Sequence, residues 1–318
     1  MDLIEKAAAR LSDDGSLKDT TDAKEARVQE ARGDVTPPAD DVIELTAKEA
    51  PSSHMLPDEA DLTGTDDDQT GFTRNVIKLD LNYLQQAGMV VPDSSRSKIK
   101  EEYRHIKRPL LMNASGKGTS VIKHANLIMV SSAHPNEGKT FSAINLALSI
   151  AAERDKTVLL VDADVVRPSV AGFLGIKTDA GLVDYLIDGN LELSDILVKT
   201  DLPTLSILPA GNPHHLSTEL LASEGMHHLM EELSTRYSDR IVIFDAPPLL
   251  VTTEACVLAS MMGQIVLVVE AERTTRADIR EALERLHPNP EIAVGLILNK
   301  SLRAAENAYY GYGYGYYG

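Results

Sequence analysis

Cysteine is nearly absent from this 318-residue chain, which has only Cys256. A single cysteine excludes an intramolecular disulfide and a multi-cysteine metal site, and its apolar neighbours indicate a buried small residue rather than a nucleophile. Long apolar runs are also missing, since no stretch reaches the roughly 18 consecutive apolar residues that cross a bilayer. The acidic N-terminus has no basic-then-apolar order of the kind that directs secretion. We therefore expect a cytoplasmic protein that reaches a membrane only through a partner.

Basic residues are scarce, with 31 Lys and Arg against 48 Asp and Glu and a net charge of −17. Residues 1–72 account for −12 of this charge, with 19 acidic and 7 basic side chains. This acidic, proline-containing and almost aromatic-free composition predicts a mostly disordered region. The rest of the chain has no basic stripe that would neutralise phosphates, so we predict no nucleic-acid partner.

Aromatic residues make up only 4% of the chain, but they are concentrated at its end. Six of the ten tyrosines lie in the last ten residues: Tyr309, Tyr310, Tyr312, Tyr314, Tyr316 and Tyr317. The intervening glycines disfavour a helix. A folded core would spread its aromatic residues along the chain, so we interpret residues 304–318 as a flexible tail that displays them.

Residues 73–125 are predicted to form a helical N-terminal extension and a linker. Apolar spacing indicates a short helix that begins near Asp80 and ends before Gly88. A second helix is expected from about residue 97 to residue 112, with Tyr103 and Leu110 on its apolar face. A Gly/Ser linker at residues 113–119 follows.

A phosphate-binding loop is predicted where the first buried strand meets a helix. Residues 126–132 form a continuous apolar run, and a helical pattern covers residues 141–152. Between them, backbone N–H groups would cradle phosphate, Lys139 would contact the β and γ phosphates, and the Thr140 hydroxyl would ligate Mg²⁺. The candidate nucleotide-binding residues here are Ala133, His134, Pro135, Asn136, Glu137, Gly138, Lys139, Thr140 and Phe141.

Two further apolar runs end in carboxylates. Residues 157–161 lead to Asp162 and Asp164, with Arg167 shortly after, and residues 240–244 lead to Asp245. Parallel strands deliver their carboxyl ends to one edge of a sheet, so these three carboxylates are expected beside the phosphate loop.

Residues 126–303 are predicted to form one α/β domain. Further strands are expected at 205–208, 264–270 and 292–298, and helices at 218–233 and 274–286. Such alternation predicts a doubly wound, mostly parallel sheet of the P-loop NTPase type with helices on both faces.

The combined motifs resemble those of the bacterial P-loop protein-tyrosine kinases. Residues 159–168 are similar to the Walker A′ motif of that family and residues 241–248 to its Walker B motif, and the tyrosine tail is typical of it. The resemblance extends from Arg74 to Gly318. Within the family it points to stand-alone cytoplasmic autokinases of exopolysaccharide biosynthesis, of the exosortase-associated type.

The resemblance implies ATP and Mg²⁺ as cofactors and assigns roles to individual residues. Lys139 would bind the phosphates, while Thr140, Asp162 and Asp245 would surround the metal. Either Asp162 or Asp164 would act as the base, and Arg167 would orient acidic groups. Asn299 would contact adenine, and the six tail tyrosines would accept the phosphoryl group.

The resemblance also implies partners. A family motif for ring assembly corresponds to Glu101, Arg104 and Lys107, with lysine in place of the final arginine. We expect a ring-type homo-oligomer in which each tail enters a neighbouring site. A membrane polysaccharide co-polymerase would act as adaptor at the inner membrane, and a phosphotyrosine phosphatase would reverse the reaction.

The alternative is a partition or site-selection ATPase that acts as a nucleotide-dependent binding switch. That family shares the fold and the aspartates at the strand ends. Its signature lysine would stand at the position of His134, and it has no terminal tyrosine cluster, so the kinase interpretation is favoured.

Overall fold

The computed structural model describes residues 76–92, 96–118, 121–236, 240–286 and 291–301. The acidic region 1–72 and the tail 304–318 lie outside these residues, so the predictions for both segments remain predictions. The division of the chain into the four predicted regions also remains a prediction.

The described residues form ten helices and seven strands. The helices are α1 (Leu81–Gln86), α2 (Lys98–Ala114), α3 (Lys139–Ala151), α4 (Val170–Leu174), α5 (Leu182–Ile187), α6 (Leu193–Ile196), α7 (Ser217–Leu220), α8 (Glu224–Thr235), α9 (Glu254–Ser260) and α10 (Arg276–Arg285). The strands are β1 (Leu127–Ser132), β2 (Thr157–Asp162), β3 (Val198–Lys199), β4 (Leu205–Leu208), β5 (Arg240–Asp245), β6 (Gln264–Glu270) and β7 (Ala293–Asn299).

The seven strands form one sheet in the order β3-β4-β2-β5-β1-β6-β7. All neighbouring strands are parallel except β3 and β4. The interior strand β1 is buried at every position, as expected for a strand that is covered on both faces. Leu127 and Met129 pack into one apolar core, and Ile128 and Val130 into the other. The predicted doubly wound, mostly parallel sheet is confirmed.

Most predicted elements are present, but several boundaries differ from the prediction. The helix expected at 218–233 is divided into α7 and α8, because the Ser223 hydroxyl accepts the Met226 N–H at 3.2 Å and starts a new helix. Helix α3 begins at Lys139 rather than at residue 141, directly after Gly138 in the left-handed conformation. The short helices α4, α5, α6 and α9 were not predicted, because four to seven residues contain too little periodicity to be recognised.

The N-terminal extension packs on the same core as α3. Helix α1 begins as predicted, with the Asp80 carboxylate accepting the Tyr83 N–H at 3.0 Å. In α2, Tyr103 and Leu110 are buried in the core that also contains the apolar face of α3. Helix α2 continues to Ala114, so the first two residues of the predicted linker are helical. None of the helices in the described ranges is long and apolar enough to cross a bilayer.

Helix α2 is also joined to the C-terminal end of α3 by a buried lysine. Lys107 Nζ donates to the Ser149 carbonyl oxygen and lies 2.6 Å from a carboxylate oxygen of Glu153. Glu101 and Arg104, by contrast, form a 2.7 Å ion pair on the exposed surface. Lys107 is buried but lines the same surface pocket as Glu101 and Arg104, and the oligomer contact through these three residues remains a prediction.

Tyr103 makes stability sensitive to alkaline pH. Burial raises the pKa of its hydroxyl to about 12. A group whose pKa is higher in the folded state loses its contribution to stability as the pH rises from the unfolded value, here between about pH 10 and pH 12. Unfolding in urea is expected to show this loss in the wild type and a shallower pH dependence in Tyr103→Phe. Equal pH dependence of the two proteins would contradict the prediction.

Candidate active site

The loop between β1 and α3 has the backbone shape of a phosphate-binding loop. Asn136 and Gly138 have φ angles of 68° and 97°. Gly138 also passes so close to Asn299 that a Cβ atom would collide with the Asn299 side-chain amide. Only glycine meets both conditions at this position, because it lacks a Cβ and tolerates positive φ. The first turn of α3, with its unpaired N–H groups, starts directly after it.

Lys139 lies among the carboxylates at the C-terminal ends of β2 and β5. Its Nζ is 2.7 Å from Asp164 Oδ2 and 3.4 Å from Asp245 Oδ1. Burial alone would lower the pKa of Lys139, but the charges of Asp245 and Asp164 together outweigh it and raise that pKa. The lysine therefore stays charged, as an anionic ligand requires.

Asp162 and Asp245 are neighbours in the paired strands β2 and β5. The Asp162 carboxylate accepts the Ser169 and Val170 N–H groups at 2.9 and 3.0 Å. Asp245 accepts the Thr140 hydroxyl at 2.6 Å. Burial raises the pKa of Asp162 to about 7, and the charge of Asp245 contributes to this shift. Burial likewise raises the pKa of Asp245 to about 6.

These groups are suited to a divalent cation. Asp162 Oδ1 is buried and has no hydrogen-bond partner among the described residues. A cation would satisfy this oxygen and relieve the repulsion between two buried carboxylates. Within the described ranges, no cluster of three or more His, Cys, Asp or Glu side chains could hold a metal by itself. This fits Mg²⁺, which is usually bound through one or two carboxylates together with substrate phosphates and water.

Glu137 does not face the cavity but supports the loop from behind. Its side chain is fully buried. One carboxylate oxygen accepts the His134 N–H at 3.0 Å, and the other accepts the Thr274 hydroxyl. Thr274 also accepts the Glu270 N–H at 2.9 Å, which joins the phosphate loop to the end of β6.

Asn299, the last residue of β7, and Lys300, which follows it, hold the same loop. Asn299 Nδ2 donates to the Glu137 carbonyl oxygen at 2.9 Å, and Lys300 Nζ donates to the Asn136 carbonyl oxygen at 2.7 Å. Residues at the C-terminal ends of β6 and β7 thus support the loop, whereas the C-terminal ends of β2 and β5 supply the carboxylates. The adenine contact through Asn299 remains a prediction.

Replacing Glu137 by alanine is expected to raise the KM for ATP about tenfold, because the loop loses its attachment to Thr274. Thr274→Val removes the other end of the same hydrogen bond and should raise this KM similarly. The effects of the two substitutions should be less than additive in the double variant, because both remove the same Glu137–Thr274 hydrogen bond, although each also removes one contact of its own. Steady-state kinetics with varied ATP concentration measures this, and additive effects of the two substitutions would contradict it.

Most of the predicted nucleotide-binding and catalytic residues line one cavity of about 510 Å³. Its lining includes Pro135, Asn136, Gly138, Lys139, Thr140, Phe141, Asp164 and Arg167. Ala133, Glu137, Asp162 and Asp245 are buried. The His134 ring does not line this cavity. Its Nε2 lies 3.4 Å from Asp278 Oδ1.

Sequence comparison matches residues 125–287, about half of the chain, to the family model described as AAA domain. The tyrosine-protein kinase CpsD of Streptococcus agalactiae is 33% identical over 179 residues, which cover 56% of this chain and 76% of that protein. The chain belongs to the bacterial tyrosine-protein kinases. A putative member from Ralstonia nicotianae, EpsB, is also 33% identical over 191 residues, which cover 60% of this chain.

The kinase domain of VpsO supports this membership in three dimensions. It matches with a TM-score of 0.52 and 29% identity, over 64% of this chain and 100% of that domain. The matched kinases differ in length. The aligned part spans 76% of CpsD but only 24% of EpsB. The fold and the family of this chain are therefore established, while its activity, substrates and partners are proposed below.

Three site residues of this kinase were not predicted from its sequence. The Ser169 hydroxyl lies 2.9 Å from that of Thr140, Thr274 holds Glu137, and Lys300 holds Asn136. Thr274 and Lys300 each lie just beyond the carboxyl end of a predicted strand, which is where residues of such sites are expected. Ser169 follows the Arg-Pro pair after Asp164. Its nearness in sequence to a predicted site carboxylate is the signal that could have identified it.

Proposed function

We propose that this kinase transfers the γ-phosphoryl group of ATP to the tyrosines of its own C-terminal tail, acting on a neighbouring copy. The observation that carries this proposal is the convergence of Lys139, Asp164 and Asp245 at one end of the phosphate loop, beside a cavity large enough for an acceptor. The chain itself contains a dense group of acceptors, Tyr309 to Tyr317, and the family to which it belongs phosphorylates tyrosine.

In the proposed reaction the phenol oxygen of a tail tyrosine attacks the γ-phosphorus. A new O–P bond forms, the bond from that phosphorus to the β,γ-bridging oxygen breaks, and ADP leaves. Asp164 is assigned as the base because it lines the cavity, whereas Asp162 does not line it and has an unpartnered oxygen that suits the metal. The phenolic proton therefore passes to Asp164.

Charge neutralisation is the main contribution expected from the chain. Lys139 balances the negative charge that spreads over the transferred group and the leaving oxygen. Thr140, Asp162 and Asp245 would hold Mg²⁺, which when bound supplies further positive charge to the phosphates. Arg167, which is exposed at the cavity, would attract the anionic groups of the incoming reactants.

Regulation of exopolysaccharide polymerisation and export is proposed as the purpose of this reaction. Each phosphotyrosine adds about −1.5 to −2 charges, so a modified tail would be repelled by a site built from three aspartates. A ring assembled through Glu101 and Arg104 would then loosen, changing the contact with a membrane co-polymerase until a phosphatase removes the phosphates. Equal sedimentation of phosphorylated and unmodified chains would contradict this cycle.

The proposal is tested by incubating the full chain with ATP and Mg²⁺ and mapping phosphotyrosine by antibody and mass spectrometry. Wild-type protein should be labelled in the tail, and replacement of all six tail tyrosines by phenylalanine should abolish the label. Tyr83→Phe, which removes an exposed tyrosine outside the tail, is the matched control and should stay labelled. ATP hydrolysis without any tyrosine label would overturn the proposal in favour of the nucleotide-dependent switch.

A further inference from the structure

Three of the residues that line the cavity have exposed apolar side chains. Val166, Phe173 and Val251 are 55%, 40% and 59% exposed, and all three line the cavity that contains Lys139 and Asp164. Single exposed apolar residues are ordinary on a protein surface. Three of them in the lining of one cavity, beside Lys139 and Asp164, are the kind of exposed apolar surface that marks a binding site, and we call these three residues the apolar rim.

The apolar rim lies on the side of the loop that supplies the carboxylates. Val166 follows β2 by four residues, Phe173 belongs to α4, and Val251 follows β5. In the sheet, β5 and then β2 lie on one side of β1, while β6 and β7 lie on the other. The residues that hold the loop from behind come from β6 and β7. A side chain bound to the apolar rim would therefore lie on the side of the site that contains Asp164 and Asp245.

We propose that the apolar rim binds the aromatic ring of an acceptor tyrosine from the tail of a second copy of this chain, with its hydroxyl directed at Asp164. This inference rests on the proposed kinase activity and names the part of the site that selects the acceptor. Phe173 offers an aromatic face or edge to the incoming ring, and the two valines offer aliphatic contacts.

The composition of the tail matches such a site. Tyrosine is the only large side chain from residue 309 onwards, and glycine separates most of the tyrosines. Glycine leaves the backbone on either side of a ring free to approach a cavity wall closely. Because the apolar rim makes no demand on neighbouring side chains, any of the six tyrosines can enter in turn. The tail carries no basic or acidic residue after Glu306, so apolar contact is its main means of recognition.

The test measures the KM of the full chain for an added peptide of residues 308–318 and, separately, its KM for ATP. Phe173→Ser and Val251→Ser should each raise the KM for the peptide by about tenfold, the effect expected when the burial of a large apolar contact is lost. The KM for ATP should be unchanged. Ile187→Ser is the matched control, since Ile187 is 49% exposed but lies outside the cavity, and both KM values should equal those of the wild type.

A second measurement does not depend on turnover. Fluorescence anisotropy of the labelled peptide, recorded with a non-hydrolysable ATP analogue, should show the same weakening in Phe173→Ser and Val251→Ser. Peptide binding equal to that of the wild type would overturn the proposal, as would weaker binding of the ATP analogue instead, which would assign the apolar rim to adenine. If the wild type binds the peptide but phosphorylates no tyrosine, the kinase proposal fails while the binding site stands.

Discussion

Replacing Lys139 by methionine is expected to lower the rate of tyrosine phosphorylation by at least about a thousandfold. Lys139 is the cation that directly contacts Asp164 and Asp245 at the N-terminal end of α3. A phosphoryl group bound to this loop would develop its charge beside the Lys139 ammonium, and methionine keeps the length of the side chain without the charge. The initial rate of phosphotyrosine formation at saturating ATP measures the loss.

Two controls separate chemistry from folding. Lys139 neutralises two buried carboxylates, so Lys139→Met should also unfold at a lower temperature, and circular dichroism must show that it is folded during the assay. Lys300→Met removes a lysine that contacts the same loop at the Asn136 carbonyl oxygen, on the β7 side. It should slow the reaction by less than about tenfold, because that lysine supports the backbone rather than the reacting group. A folded Lys139→Met protein with wild-type rates would refute the role of Lys139.

Replacing Asp162 by asparagine is expected to have opposite effects on stability and activity. The pKa of Asp162 is raised to about 7, first by burial and then by the charge of Asp245. A raised pKa means that the folded state loses stability as the pH rises from the unfolded value near 4 to about 7. At pH 8 without Mg²⁺ the asparagine variant, which has no such charge, should melt roughly 3–6 °C higher than the wild type.

The pH dependence identifies the cause of this stabilisation. At pH 5 the wild-type carboxyl group is largely protonated, so the difference in melting temperature between the two proteins should shrink. Asp155→Asn, at an exposed position near the opposite end of β2, should not change the melting temperature. Activity of Asp162→Asn with Mg²⁺ should fall about a hundredfold or more, because a charged metal ligand is lost. A lower melting temperature of Asp162→Asn at pH 8 without Mg²⁺ would contradict this account of the site.

The position of the Gly138–Lys139 loop and of the three aspartates at strand ends could be predicted from the sequence, because each follows a continuous apolar run of a length typical of a buried strand. Parallel pairing then brings the ends of β1, β2 and β5 together without any further information. The strands expected at 205–208 and 264–270 were found with the same limits for the same reason. Patterns local to one element were thus enough to predict which of these side chains lie close together.

Features that depend on distant contacts could not be predicted in this way. Glu137 was grouped with the nucleotide-binding residues, yet its side chain turns inward to Thr274, 137 positions later in the chain. Lys107 was grouped with Glu101 and Arg104 as an oligomer contact, and its side chain is buried against the end of α3. In both cases the side-chain direction is set by packing between elements, about which the local sequence pattern carries no information.

Transfer between two copies is the central claim, and one experiment tests it most directly. Wild-type chain with a size-shifting tag is mixed with excess untagged Lys139→Met chain, which keeps its six tail tyrosines but lacks the lysine of the site. After incubation with ATP and Mg²⁺, the two chains are separated by size and probed for phosphotyrosine. We predict a strong label on the Lys139→Met chain that depends on the wild-type partner. Label confined to the wild-type chain would contradict phosphorylation of one copy by another.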